Sequence, residues 1–304
     1  MFSSRSSHIL ASLGRRAYAA EAAVSLTAPR QTRVFWKAVS TRPLDPTWVS
    51  TKAKVPAHFP EGTPKFGVFL DARPLRTHLK QLFEVPCPLL AELIAAEWSS
   101  QREHLKPLAL PLTSLISRAL DGPLYEQRDT ESIIDGLVAY LHSDTLCFPE
   151  PYPAGLVERQ NREWTPIRRW VEAEYGVTLR CASEREFDVT QSPETVAKLS
   201  AFLRELHPWQ LVAFEEAVIS SKSFILPLAL LRRHITLDQA ADASRLETLY
   251  QVGRWGQVED THDVDHYDIR TRLGAALLMH RAVTGLHHEQ ALLRAAEKAA
   301  TPSE

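Results

Sequence analysis

The stretch FGVFLDARPLRTHLKQLFEVPCPLLAELIAAEWSSQ, residues 66–101, contains the change of period that sets the fold class. In its first part Phe66, Val68 and Leu70 alternate with Gly67, Phe69 and Asp71, and Asp71-Ala72-Arg73-Pro74 carries turn chemistry, so the segment reads as a strand that turns back on itself. From Pro86 the pattern is different. Pro88 suits the first turn of a helix, and Leu90, Ile94 and Trp98 recur every four residues on one helical stripe, where Trp98 is expected to be a buried structural residue. Upstream, VFWKAVS (34–40) is strand-like, and a Pro/Gly-rich stretch follows from Pro43 to Gly67. Downstream the helical period continues. Helices are expected at 112–120, 130–142, 156–175, 193–206, 208–232, 236–256 and 260–298, with Ser192 and Thr236 as start signals and Pro227 kinking or interrupting the fifth. The fold class is therefore α+β, a small antiparallel sheet leading into a larger all-helical part. The expected divisions are residues 1–30 as a leader, 31–113 as the β-containing N-terminal domain and 114–298 as the helical domain.

The chain has 304 residues, of which 44% are hydrophobic and 24% charged, enough apolar material for a sizeable core. A formal net charge of -2 gives no basic field for nucleic acid. Cys87, Cys147 and Cys181 are odd in number and widely spaced, which suggests neither a disulfide framework nor a cysteine zinc site. Apolar runs such as SFILPLALL fall far short of the ~20 residues needed for a membrane span. The opening segment MFSSRSSHILASLGRRAYAA has Arg5, Arg15 and Arg16, several serines and no acid before Glu21, the composition of a mitochondrial transit peptide cleaved near residue 18.

Motifs for nucleotide cradling and for the commonest hydrolases are absent: there is no GxGxxG, P-loop, GxSxG or HExxH. One enzymatic alternative remains in RLETLYQVGRWGQVEDTHDVDH (245–266). His262 and His266 are one helical turn apart with Glu259, Asp263 and Asp265 nearby, and His262-Asp263 with a recruited His234 could serve a metal-dependent hydrolase. Twelve histidines among 37 acidic residues produce such spacings by chance, and His287-His288 is weaker still. A helical wheel starting at Leu246 places Leu249, Tyr250 and Gly253 on the buried stripe and Glu247, Gln251, Arg254 and Trp255 on the other side. Trp255 is then either an exposed interface anchor or the end of a helix folded into a neighbouring core, with Gly256 as the stop signal.

FWKAVS, FGVFLDARPLRT, VPCPLLAELIAAEWSSQ, LPLTSL, SDTLCF, LVERQNREWTPI and SRLETLYQVGRWGQVEDTHD occur in this order over about residues 34–281. Together they resemble the mitochondrial ATP synthase assembly chaperone family that handles the α subunit of the catalytic head. His78, Thr165, Pro227 and Thr248 depart from the usual family pattern, and Thr248 stands where an acid is common. The resemblance implies a small N-terminal α/β domain plus a helical bundle. It also implies a monomeric matrix chaperone without catalytic residues, cofactor or metal, which binds the unassembled α subunit until the β subunit replaces it. Nucleic-acid binding and membrane insertion are not expected. The implied partner surface is Glu247, Gln251, Arg254, Trp255, Gly256 and Glu259.

Overall fold

The computed structural model describes residues 32–45, 64–124, 128–183 and 189–300; the expected leader lies outside them. Contacts group the chain into two units, Met1–Phe35 with Arg102–Leu105, and Trp36–Gln101 with Lys106–Glu304. In the described part of the first, Val34 N–H donates to Glu103 C=O at 3.0 Å and Leu105 N–H to Thr32 C=O at 2.9 Å. The second unit carries the sheet and all the helices described below.

The sheet is antiparallel around β2 (Phe66–Leu70). β1 (Val39–Pro43) pairs along its whole length with Val39 opposite Leu70, while β3 (Arg73–Pro74) and β4 (Glu84–Val85) pair with the two ends of β2. The Asp71 turn has φ 55°, and its carboxylate accepts the Lys37 and Ala38 N–H groups at 3.0 and 2.9 Å, which holds its pKa below the usual range. Alternation is the pattern of a strand with one buried face, but Gly67 through Leu70 are all buried. The reason is cover on both sides. Helix α1 (Pro88–Ser99) packs on the sheet, while on β2 the Arg42 guanidinium lies 4.8 Å over the Phe69 ring. Leu44 comes so close that a Cβ on Gly67 would meet its side chain at 2.7 Å.

Helix α1 starts after Cys87 with Pro88 in its first turn, and Leu90, Ala91, Ile94, Ala95 and Trp98 form its buried stripe. Its last turn holds the next element. Trp98 Nε1 donates to Thr113 Oγ1 at 3.0 Å, and Glu97 accepts the Leu112 and Thr113 N–H groups at 2.7 and 2.9 Å at the start of α2 (Pro111–Asp121). Those N–H groups have no partner within their own helix, so Glu97 serves as a cap supplied from outside. Trp36 tilts against Trp98 with ring centroids 5.1 Å apart.

The bundle continues with α3 (Arg128–His142), α4 (Ala154–Tyr175), α5 (Pro193–Glu205) and α6 (Pro208–Ser221). It ends with α7 (Ile225–Leu231), α8 (Leu237–Ser244), α9 (Leu246–Trp255) and α10 (His262–Ala300). Helix α6 is apolar nearly all round and lies against α10, α2, α7 and α3, so the core is built around it. Ser192 and Thr236 cap α5 and α8 as expected, Thr236 in a reciprocal capping box with Gln239.

Two expected helices are split. The segment 208–232 breaks after Ser221, where Lys222 adopts φ 53°, and not at Pro227, which fits the first turn of α7 where no N–H is required. The buried carboxylate of Asp144 makes the break. It accepts Phe224 N–H at 2.6 Å, Ile225 N–H at 2.9 Å and Ser223 Oγ–H at 2.9 Å, and so starts a new helix. The segment 236–256 breaks at Arg245, whose side chain is buried and bonded to α10.

Candidate functional site

Helix α9 is short and shallowly seated. Leu246 is its buried residue; Leu249 and Tyr250 are half-buried and Gly253 is exposed, so the expected stripe of Leu246, Leu249, Tyr250 and Gly253 holds at its first position and weakens toward the C-terminus. Two neighbours fix the helix. On one side α4 begins so close that a Cβ on Gly155 would lie 3.2 Å from Tyr250 Oη, and α4's Trp164 donates from Nε1 to Ala243 C=O at 2.9 Å just before α9. On the other side Arg245 donates to the His262 carbonyl at 2.9 Å, pairs with Asp265 and reaches His266 Nδ1 at 3.3 Å. These bonds tie the start of α9 to the start of α10.

Gly256 ends α9 at φ 89° and ψ 168°, a conformation that L side chains rarely adopt, and its N–H closes the last turn on Val252 C=O at 2.9 Å. Trp255 is therefore the last helical residue. It is 76% exposed, which excludes the alternative in which it folds into a neighbouring core. Gln251, Arg254, Gly256 and Glu259 are exposed as well, and Glu247 is half-buried. Arg254 is held back along the helix, its Nη1 donating to Tyr250 Oη at 3.1 Å. Glu247 has no hydrogen bond or ion pair among the described residues. Partial burial raises its pKa, and the neighbouring carboxylate of Glu150 raises it further.

Val258, Val264 and Tyr267, respectively 57%, 58% and 70% exposed, were not singled out in the sequence. A signal for two of them existed. Ile269, Leu273, Ala276 and Val283 form the buried stripe of α10, and Val264 and Tyr267 fall off that stripe when it is extended backward.

The histidines of the metal alternative are engaged otherwise. His262 Nδ1 accepts Val258 N–H at 3.1 Å, while His266 Nδ1 faces two guanidinium groups, Arg245 at 3.3 Å and Arg270 at 2.9 Å. Two fixed positive charges at an imidazole disfavour an added cation. His234 stacks on Trp170 at 4.5 Å instead of joining them. No group of three or more histidine, cysteine, aspartate or glutamate side chains among the described residues could hold a metal ion. No helix among them is long and apolar enough to cross a membrane.

The arrangement of a small sheet and helical bundle is shared with solved chaperone structures. Atp12 from Paracoccus denitrificans superposes with a TM-score of 0.66 at 27% identity, covering 82% of this chain and 97% of that one. A putative chaperone from Agrobacterium tumefaciens gives 0.67 at 26% identity, covering 82% of this chain and 85% of that one. The class is thus that of a chaperone. Residues 33–172 match the model described as ATP12 chaperone protein. The mitochondrial protein atp12 of Schizosaccharomyces pombe is 33% identical over 230 residues, covering 72% of this chain and 78% of the relative. The chain belongs to the ATP12 chaperone family, the ATP synthase assembly chaperones that its ordered motifs resemble.

Proposed function

We propose that this protein binds the unassembled α subunit of ATP synthase in the mitochondrial matrix and protects it from aggregation until the β subunit takes over the same surface. It acts as a monomer, without catalysis or a bound cofactor. The binding surface is Glu247, Gln251, Arg254, Trp255, Gly256 and Glu259, extended by Val258, Val264 and Tyr267. The observation that carries this reading is the exposure of Trp255 at the end of a helix whose backbone is fixed by Gly256. A tryptophan left in water forgoes much of the burial that stabilises large aromatic side chains, and such residues dominate binding energy where a partner covers them. Glu247 adds direction. Its carboxylate is partly desolvated with the like charge of Glu150 beside it, so a cation on the partner would relieve an unfavourable local charge.

A subunit waiting to enter an obligate hetero-oligomer exposes an apolar interface and aggregates unless that surface is covered. A few aromatic anchors among polar groups give a contact that is specific and still reversible. Within this reading residues 31–113 form the N-terminal domain and 114–298 the helical domain, and residues up to about 18 are a cleaved import signal. Co-expression with the α subunit tests the central claim. Wild-type chain keeps the α subunit soluble, and aggregation of the α subunit at the same level with and without it would refute the proposal.

A further inference from the structure

Cys147 and Cys181 lie on opposite sides of α4 in the sequence, yet the fold brings their stretches of backbone side by side. The backbone fixes this approach. Ala182 N–H donates to Cys147 C=O at 2.7 Å. The Gln191 carboxamide clamps both strands of chain: Nε2 donates to Arg180 C=O at 2.9 Å and lies 3.8 Å from Cys147 Sγ, while Oε1 accepts Arg180 N–H at 2.9 Å. Cys181 is exposed and Cys147 is buried. One sulfur can meet a solute and the other can only meet its neighbour.

We propose that Cys147 and Cys181 are a thiol redox site that takes a hydroperoxide and closes to an intramolecular disulfide. Cys181 is the attacking thiol. The neighbouring Cys147 thiol brings its pKa down to about 7 against the effect of burial, and the Arg168 charge assists. Arg168 is itself anchored on Leu146 C=O at 2.6 Å. Cys147 is pushed up by the Cys181 thiol beside it, by burial and by the nearby Asp144, so it stays a thiol until needed.

In the first step the Cys181 thiolate attacks one peroxide oxygen. The O–O bond breaks, Cys181 becomes a sulfenic acid, and the departing hydroxide takes a proton to become water. In the second step Cys147 sulfur attacks Cys181 sulfur. The S–S bond forms, the S–O bond breaks, and the leaving hydroxide takes the Cys147 proton as a second water. Net, two thiols and hydrogen peroxide give a disulfide and two waters. A small dithiol restores the reduced pair. The bridge would tie the chain entering α4 to the chain leaving it, beside the Asp144 anchor of α7.

The test treats the reduced full chain with one equivalent of hydrogen peroxide, followed by alkylation and peptide mapping. The expected result is loss of the Cys147 and Cys181 thiols together, a peptide pair linked through them, retention of Cys87, and a Tm higher by roughly 5 °C that dithiothreitol reverses. Cys181→Ser abolishes the bridge while Cys87→Ser leaves it intact. In Cys147→Ala, Cys181 stops at a sulfenic acid that dimedone traps. Three unreacted thiols, a dimer bridged through Cys181, or Cys181 oxidised to the sulfinic acid with Cys147 still free would each overturn the proposal, and all three are read on the wild-type chain.

Discussion

Trp255 and Glu247 occupy one short helix and make opposite demands. Trp255 is held in water by a glycine stop, so on the proposed reading its removal should cost the folded protein little and the bound complex much. Trp255→Ala should weaken α-subunit binding by about 2 kcal/mol, roughly thirtyfold, with the melting temperature unchanged. Titration of purified chain against an α-subunit fragment measures it; equal affinity would remove Trp255 from the surface. Glu247→Lys, at a half-buried position without a cation partner among the described residues, should keep folding within about 0.5 kcal/mol and lose binding. Loss of the fold itself would mean the carboxylate is structural. Asp144 is the contrasting acid. It is fully buried and accepts from Leu146, Ser223, Phe224 and Ile225, yet burial outweighs these donors and raises its pKa to about 6. Asp144→Ala leaves buried N–H groups unpaired and should cost about 3 kcal/mol or more in urea unfolding, against near-neutrality if those groups find other partners.

The elements around the surface depend on one buried cation. Arg245 interrupts what the sequence suggests as a single helix and spends its guanidinium on the His262 carbonyl, Asp265 and His266. Asp265 is largely exposed, so solvent screening limits that pair, and the loss of a hydrogen-bonded arginine at this junction comes to about 1–2 kcal/mol overall. The expected consequence of Arg245→Met is therefore mostly local: backbone amides of residues 246–255 exchange faster while those of α6 keep their protection. Uniform acceleration in both helices would show instead that α9 and the core open as one unit.

At the scale of the molecule, the bundle carries a half-buried histidine that responds to acid. His280 lines a cavity of about 380 Å³ with Phe202, Phe214 and Arg232, and burial lowers its pKa to about 4, helped by Arg232 and Arg281. The folded form thus binds a proton less readily than the unfolded chain, whose histidine titrates near 6.5. Stability from this group is present above about pH 6.5 and is lost as pH falls toward 4. Asp144 runs the other way: its folded pKa is raised from 3.8 to about 6, so its contribution falls as pH rises through that interval. The two slopes oppose each other, and a variant is needed to separate them. Relative to wild type, His280→Asn should gain about 1–2 kcal/mol between pH 7 and pH 5. A difference that does not change with pH would mean that His280 titrates alike in both states.

The sequence by itself determined the fold class, most helix limits and the family. Period is a local property: the switch from alternation to a four-residue repeat after Val85, the caps at Ser192 and Thr236 and the stop at Gly256 depend on residues that are neighbours in the chain. The exposure of Gln251 and Arg254 on α9 was legible for the same reason, since a wheel needs only spacing, whereas Trp255 stayed open between surface and core until the structure placed it in water. The tertiary structure decided what depends on distant partners. Asp144 ends one helix and starts another 80 residues on, Arg245 splits a second, and Arg42 with Leu44 covers the face of β2 that alternation leaves to solvent. Desolvation decides each of these cases. A charged group costs free energy in the interior unless donors or counter-charges meet it, and which groups meet it is a matter of packing that no spacing in the chain encodes.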